Sequence, residues 1–218
     1  MKIVKQEVTL LDSMGSDLTV VNAARVSFHK TSSEFDVAKD SKLISYLAKH
    51  QHWTPFAHCF ASFRVKVPMF VAMQLDKHTV GLVTNSVSRR YVDDEPEFFF
   101  PEEWRGKPIN AKQGSSGVLA DMQPELVISA TAQYATQMAL NTYQDLLAVG
   151  VAPEQARMVL PMNTMTERIW SGSLAAFARV CKLRLDPQAQ QEIQEVAQMV
   201  DAALQPLFPV SWEALKGN

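Results

Sequence analysis

Cys59, Ala61, Phe63, Val65 and Val67 occupy alternate positions of the run CFASFRVKV, and Ser62, Arg64 and Lys66 fall between them. A period of two sends the apolar set to one face of a strand and the polar set to the other. The chain must therefore build a sheet with one covered face. Pro68 ends the run and suits the first position of a helix, expected over 68–78.

Helices supply the cover. Ile128, Ala132, Ala135, Ala139, Tyr143 and Leu146 recur three and four apart within 121–149. Ile193, Val196, Ala197, Val200, Ala203 and Leu204 do the same in a last helix, for which Asp186 is the expected cap and Pro187 the first residue. Shorter helices are expected over 18–27, capped by Ser16 or Asp17, and over 40–50, capped by Asp40 or Ser41. PEQARMVL reads as a brief helix ending at Pro161, and SLAAFARVCKL as another. Further strands are expected at 3–11, at 88–92 and in TERIWSGS. The stretch 105–118 is rich in Gly, Pro and Ser and reads as a mobile loop. The expected fold is one α/β (α+β) domain spanning 1–218, with a mixed or antiparallel sheet flanked by long helices.

The net charge of −2 offers no bulk attraction to nucleic acid or to an anionic membrane, so neither is an expected partner. No segment has the apolar length of a membrane span. Charges interrupt the first apolar run, MKIVKQEVTLLDSMG, unlike a signal peptide. A cytoplasmic protein is expected. Cys59 and Cys181 read as small apolar fillers, with no neighbouring pattern that would activate a thiolate. His50 and His52 stand two apart, off a shared helix face, and no metal site is expected.

Four places combine charge and hydroxyls in ways that suit a ligand. MQLDKHTVGLVTNSVSRRYVDD gathers Gln74, Lys77, His78, Asn85, Ser86, Ser88, Arg89, Arg90 and Tyr91. On a helix from Pro68, Gln74, Lys77 and His78 would share a face. On an extended 88–92, Ser88 and Arg90 would face one way and Arg89 the other. Such a set is either a solvated helix end or a cradle for phosphate. Arg157 interrupts an apolar helix, as a snorkelling edge residue or as an arginine aimed at an anion. Arg184 precedes Asp186, either paired with Asp186 or Glu192 or held to stabilise charge on a bound ring. His52, Trp53 and His58 either pack or line a slot for a flat ring.

AARVSF, TPFAH, VPMFVAMQ, NSVSRRY, ARMVLPMN and LRLDPQAQQEI occur in that order over roughly residues 20–200. The ordered set resembles the flavin-dependent thymidylate synthases. The resemblance implies a homotetramer of α/β subunits with active sites between chains. It implies FAD as cofactor, dUMP as substrate, and methylenetetrahydrofolate and NADPH as co-substrates. It implies a methyltransferase that makes dTMP without a cysteine nucleophile. Gln74, Lys77, Ser88 and Arg90 match dUMP-contacting positions, with Ser86, Val87, Ser88 and Arg89 supplying loop contacts. Arg157 matches an arginine that reaches dUMP from a neighbouring subunit. Arg184 matches the arginine that faces the uracil ring, and it is the catalytic candidate. His52, Thr54, Lys77, His78, Thr79, Ser86, Ser173 and Arg179 match FAD-contacting positions.

The family's signature is Arg-His-Arg, seven intervening residues and Ser. Here Lys77-His78-Thr79 and eight residues, 80–87, precede Ser88. Ala57 and Ser86 stand where relatives carry Glu, and Ser173 and Arg179 stand where they carry Asn. Lysine gives a point charge where arginine gives a fork. These departures keep a second reading open: a dUMP-binding homologue that has lost flavin chemistry. A nucleic-acid binder using Arg89 and Arg90 would need a basic stripe, and the arginines are scattered over four elements instead.

Overall fold

The structure is a computed structural model and describes residues 1–92, 94–108, 114–119 and 124–217, with backbone alone for 124–126. In chain order the elements begin with β1 (Lys2–Ile3), β2 (Glu7–Met14), α1 (Asp17–Arg25) and α2 (Val37–Lys49). Then come β3 (Phe60–Pro68), α3 (Met69–Leu75), β4 (Leu82–Ser86) and β5 (Glu97–Phe98). The remainder is α4 (Pro124–Ala148), α5 (Pro153–Ala156), β6 (Met165–Ser173), α6 (Leu174–Arg184), α7 (Gln191–Leu204) and α8 (Pro209–Lys216). Single 3-10 turns lie at Val26–Phe28, Pro55–His58 and Arg157–Val159.

The chain groups into two compact units. The first holds Met1–Gln6, Lys66–Leu75 and Ser86–Glu167; the second holds Glu7–Val65, Asp76–Asn85 and Arg168–Asn218. In the first, β1 runs parallel to β5, and Glu97 takes ion pairs from Lys2 and Lys66. Its core joins Phe98, Leu140, Tyr143 and Ala156, so the Tyr143 end of the expected stripe on α4 is the buried part.

In the second unit the sheet order is β2-β3-β6-β4. β3 and β6 are antiparallel: Leu174 N–H donates to Cys59 C=O at 2.8 Å, and the Ser62 and Ser171 hydroxyls meet at 2.8 Å. Ala61, Phe63 and Val65 are buried as the alternation requires. Phe63 and Trp170 both meet the Phe177 ring edge-on, with centroids 5.1 and 5.0 Å away. Both cysteines are buried. Burial pushes the Cys59 thiol up to about 11 and the Cys181 thiol up to about 12.

Several boundaries differ from the sequence expectation for identifiable reasons. The N-terminal strand is split into β1 and β2. α2 begins at Val37 because Asp36 caps it, its Oδ1 accepting from Ala38 and Lys39 N–H. Asp40 is fully buried and bonded to Arg25 at 2.5 Å, so it is a core ion pair and not a cap. Ser16 caps α1, and Asp17 accepts from the N–H groups of Val210 and Ser211 at the start of α8. α7 begins at Gln191 and not at Pro187. Asp186 Oδ1 instead accepts from Gln188 N–H at 2.7 Å and closes a local turn. α8 was not foreseen; Trp212 anchors it, fully buried, its indole N–H on Asp201 at 2.6 Å. In the expected loop 105–118, residues 109–113 lie outside the described residues. Its flanks pair as an antiparallel bridge between Arg105 and Val118. No described helix is long and apolar enough to cross a membrane.

Candidate active site

The segment after α3 departs most from expectation. α3 stops at Leu75, and Pro68 is the last residue of β3, so Gln74 is helical while Lys77 and His78 are not. They share no helix face. The reason lies in what holds the next residues. Asp76 is ion-paired to Arg168 of β6, a residue only 5% exposed. Gly81 has φ +75, a conformation that suits glycine. Its carbonyl accepts from Ser173 N–H at 3.1 Å. Arg179 Nη2 donates to Val80 C=O at 2.7 Å. Arg184 Nε donates to His78 Nε2 at 3.0 Å. β6 and α6 thus pin residues 76–81 at Asp76, His78, Val80 and Gly81.

The Arg184 bond fixes the state of His78. A guanidinium N–H can only donate, so Nε2 must carry a lone pair and the ring is neutral. Burial, and secondarily the Arg184 charge, hold the imidazole below its ordinary value of 6.5. Lys77 and Thr79 are exposed on either side. Ser173 is buried, and its hydroxyl accepts from Ala176 N–H at 3.3 Å, so it caps α6.

A pocket of about 480 Å³ opens in the second unit, between the end of α2, the Pro55–His58 turn, α6 and α8. Lys49, Arg179 and Lys182 bring cations to it, and His52 and Trp53 bring rings. Trp53 is 57% exposed, so its ring is free to stack. His52 also belongs to a ring cluster, 6.0 Å from Tyr46, which lies 4.4 Å from His50. Thr54 is exposed, its carbonyl accepting from Ala57 N–H at 3.0 Å. Three cations and a stackable ring around an open pocket fit a planar molecule bearing phosphates.

In the first unit, 88–92 is a turn and not a strand. Tyr91 N–H donates to Ser88 C=O at 3.0 Å, and the strand instead lies earlier, as β4. Val87 N–H is taken by Glu167 C=O at 2.8 Å. Ser86 is exposed and Ser88 half-buried. The turn separates the two arginines: Arg89 Nη1 donates to Asp94 C=O at 2.7 Å, while Arg90 lies over the Tyr91 ring at 5.0 Å. Arg90 Nη1 stands 4.0 Å from the Glu154 carboxylate, and Arg157 Nε reaches the Glu154 carbonyl at 3.4 Å. Glu154 therefore brings Arg90 and Arg157 together, which their spacing did not suggest. Gln74 is half-buried on α3.

Lys49, Lys182 and the Asp76–Arg168 pair escaped the sequence reading. Arg168 carried a signal: it shares a strand face with buried Trp170 and Gly172, where a charge requires a partner.

The family described as thymidylate synthase complementing protein matches residues 9–210. A flavin-dependent thymidylate synthase of Thermus thermophilus is 39% identical over 209 residues, covering 96% of this chain and 75% of that one. The protein of the same name from Thermosipho africanus is 36% identical, covering 94% and 88%. The solved structure of a UMP/dUMP methylase, PolB from Streptomyces cacaoi bound with 5-Br dUMP, superposes with a TM-score of 0.89 at 30% identity, covering 100% and 97%. The chain belongs to the flavin-dependent thymidylate synthase family. It is an enzyme of the methyltransferase class.

Proposed function

We propose that the chain converts dUMP to dTMP, using FAD, methylenetetrahydrofolate as one-carbon donor and NADPH as reductant, in the cytoplasm. The pocket carries this reading over that of a flavin-free homologue, because it joins stackable rings to Lys49, Arg179 and Lys182. His52, Trp53, Arg179 and Lys182 would hold the cofactor there. Lys77 and Thr79 are exposed on a pinned segment that would border it, His78 is half-buried between them, and Thr54 completes the set. Ser173 would contribute through the segment it holds. When bound there, FAD would supply hydride chemistry for reducing the one-carbon unit.

The chain's own residues bind and orient. In the first unit Ser88 and Arg90 would hold the phosphate of dUMP, with Gln74, Val87 and Arg89 as further contacts. Arg157 acts across to a neighbouring subunit. In the second unit Arg184 faces the uracil and stabilises negative charge on its oxygens as position 5 becomes nucleophilic. The high thiol values of Cys59 and Cys181 support a route with no cysteine nucleophile, since a buried thiol at about 11 or 12 is not ionised near neutrality. The test is the visible spectrum of purified protein incubated with FAD and desalted. A retained flavin band that changes on adding dUMP is expected. A colourless protein that still binds dUMP would contradict the flavin role.

A further inference from the structure

Arg184 ends α6 half-buried, and among the described residues its side chain has one hydrogen-bond partner, His78. That bond uses the Nε edge of the guanidinium. The two terminal nitrogens remain as a fork, the geometry that recognises paired oxygens or a carbonyl beside a ring nitrogen. His78 in turn sits on a segment tied at three further points. Asp76 is tied to Arg168, Val80 to Arg179 and Gly81 to Ser173. The imidazole is thus a fixed acceptor, and the arginine is the movable partner that it aims.

We propose that His78 is a positioning residue for uracil recognition: its neutral Nε2 sets the direction of the Arg184 fork, and protonation of the ring releases that fork. This rests on the role proposed for Arg184 and extends it to a residue assigned only to the cofactor. The charged group in contact with the ring is Arg184 of α6; Asp76 and Lys77 are its neighbours in sequence, with Arg168 of β6 bonded to Asp76 and Arg179 of α6 bonded to Val80. Arg168 and Asp76 neutralise one another, and Arg179 is spent on Val80. A proton on Nε2 would point at the Arg184 N–H, so donor meets donor and cation meets cation. Burial and Arg184 both favour the neutral ring, so the aimed state holds above about pH 6.5 and is lost as pH falls through the lower value of the folded protein.

The experiment has two arms. The first uses protein without ligand and follows nitrogen-15 resonances of the Arg184 Nε–H and the His78 ring from about pH 7.5 to about pH 5.5. The arginine signal is expected to shift or broaden together with the histidine titration. An arginine signal indifferent to that titration overturns the proposal. The second arm measures dUMP affinity of the wild type and of His78→Gln, whose side-chain oxygen accepts near the Nε2 position without titrating. The phosphate of dUMP titrates with a second pKa of about 6 and affects both proteins alike. The wild type is expected to lose affinity about fivefold more than His78→Gln over this pH span, and His78→Phe to bind about tenfold more weakly near neutrality. Equal pH profiles for wild type and His78→Gln overturn the positioning role while leaving dUMP as the substrate. Absence of dUMP binding by the wild type overturns the substrate reading, and the uracil role of His78 with it.

Discussion

Arg184 and Asp40 show how differently two charged residues serve this chain. Arg184 is half-buried and bonded through Nε to His78, and in the proposed uracil-facing role Arg184→Ala is expected to lower kcat/KM for dUMP by about 100- to 1000-fold. Steady-state kinetics check this, and near-normal turnover would exclude the charge role. Asp40 is fully buried beneath Arg25, whose side chain keeps 23% exposure. Asp40→Ala is expected to cost about 2–4 kcal/mol, read by denaturant unfolding, because it leaves a half-buried guanidinium without its carboxylate. The two arginines at 89 and 90 also part company. One is spent on the Asp94 carbonyl and the other meets Tyr91 and Glu154, so equal roles for both are not expected.

At the scale of elements, residues 76–81, proposed to border the cofactor, depend on two glycines for their geometry. A Cβ at Gly81 would lie 3.2 Å from the Ala176 Cβ and 3.3 Å from the Ser173 Oγ, and φ is already +75. A Cβ at Gly172 would come within 2.5 Å of a Leu82 methyl group and closer still to the Gly81 carbonyl oxygen. Gly172→Ala is therefore expected to destabilise by more than Gly81→Ala, the latter by about 1–2 kcal/mol. Both should lower flavin retention, measured as absorbance left after desalting. The Asp76–Arg168 pair gives a sharper test of what pins the segment. Asp76→Ala strands a buried arginine whose Nε already has no partner among the described residues, so a loss of about 3 kcal/mol is expected. Adding Arg168→Met should restore most of the stability but not the hold on residues 76–81. Full recovery of flavin binding in the double variant would contradict that hold.

This segment also marks where the sequence stopped being readable. Strand β3, helix α6 and the stripe of α7 follow from period and composition, since burial enforces both. The end of α3 does not, because it is set by Arg168, 92 positions away, and by a glycine turn. Spacing on an imagined helix gave Gln74, Lys77 and His78 a common face that tertiary bonds abolish. The ordered motifs identified the family. The cations Lys49 and Lys182 were illegible because only the fold brings them to one pocket.

For the whole molecule, the titrating groups with shifted values set an order of acid sensitivity. Stability should be flat from neutrality to about pH 8.5 and fall above about 9, where the unfolded thiols ionise while buried Cys59 and Cys181 stay protonated. His78 is held low, so folding loses free energy first as pH falls below about 6.5, where the unfolded chain binds a proton that the folded ring resists. Glu97 is held below 4.5 by Lys2 and Lys66, so its contribution is present above that value and is lost at lower pH. Thermal midpoints across pH should show the first decline below about 6.5, and His78→Gln should remove that step. A homotetramer is proposed for the assembly. Val127, Tyr134 and Met138 are exposed along α4 at 63, 68 and 46%, an apolar stripe that a neighbouring subunit would cover. Light scattering should give four times the chain's 24.3 kDa; a monomer would contradict the proposed role of Arg157 at a neighbouring subunit's site.

The most direct measurement is formation of dTMP by purified protein given dUMP, methylenetetrahydrofolate and NADPH, with and without FAD. Production of dTMP only when FAD is present, undiminished by Cys59→Ala and Cys181→Ala in protein that remains folded, is the expected result. No dTMP with every component present, or dTMP made equally well without flavin, would contradict it.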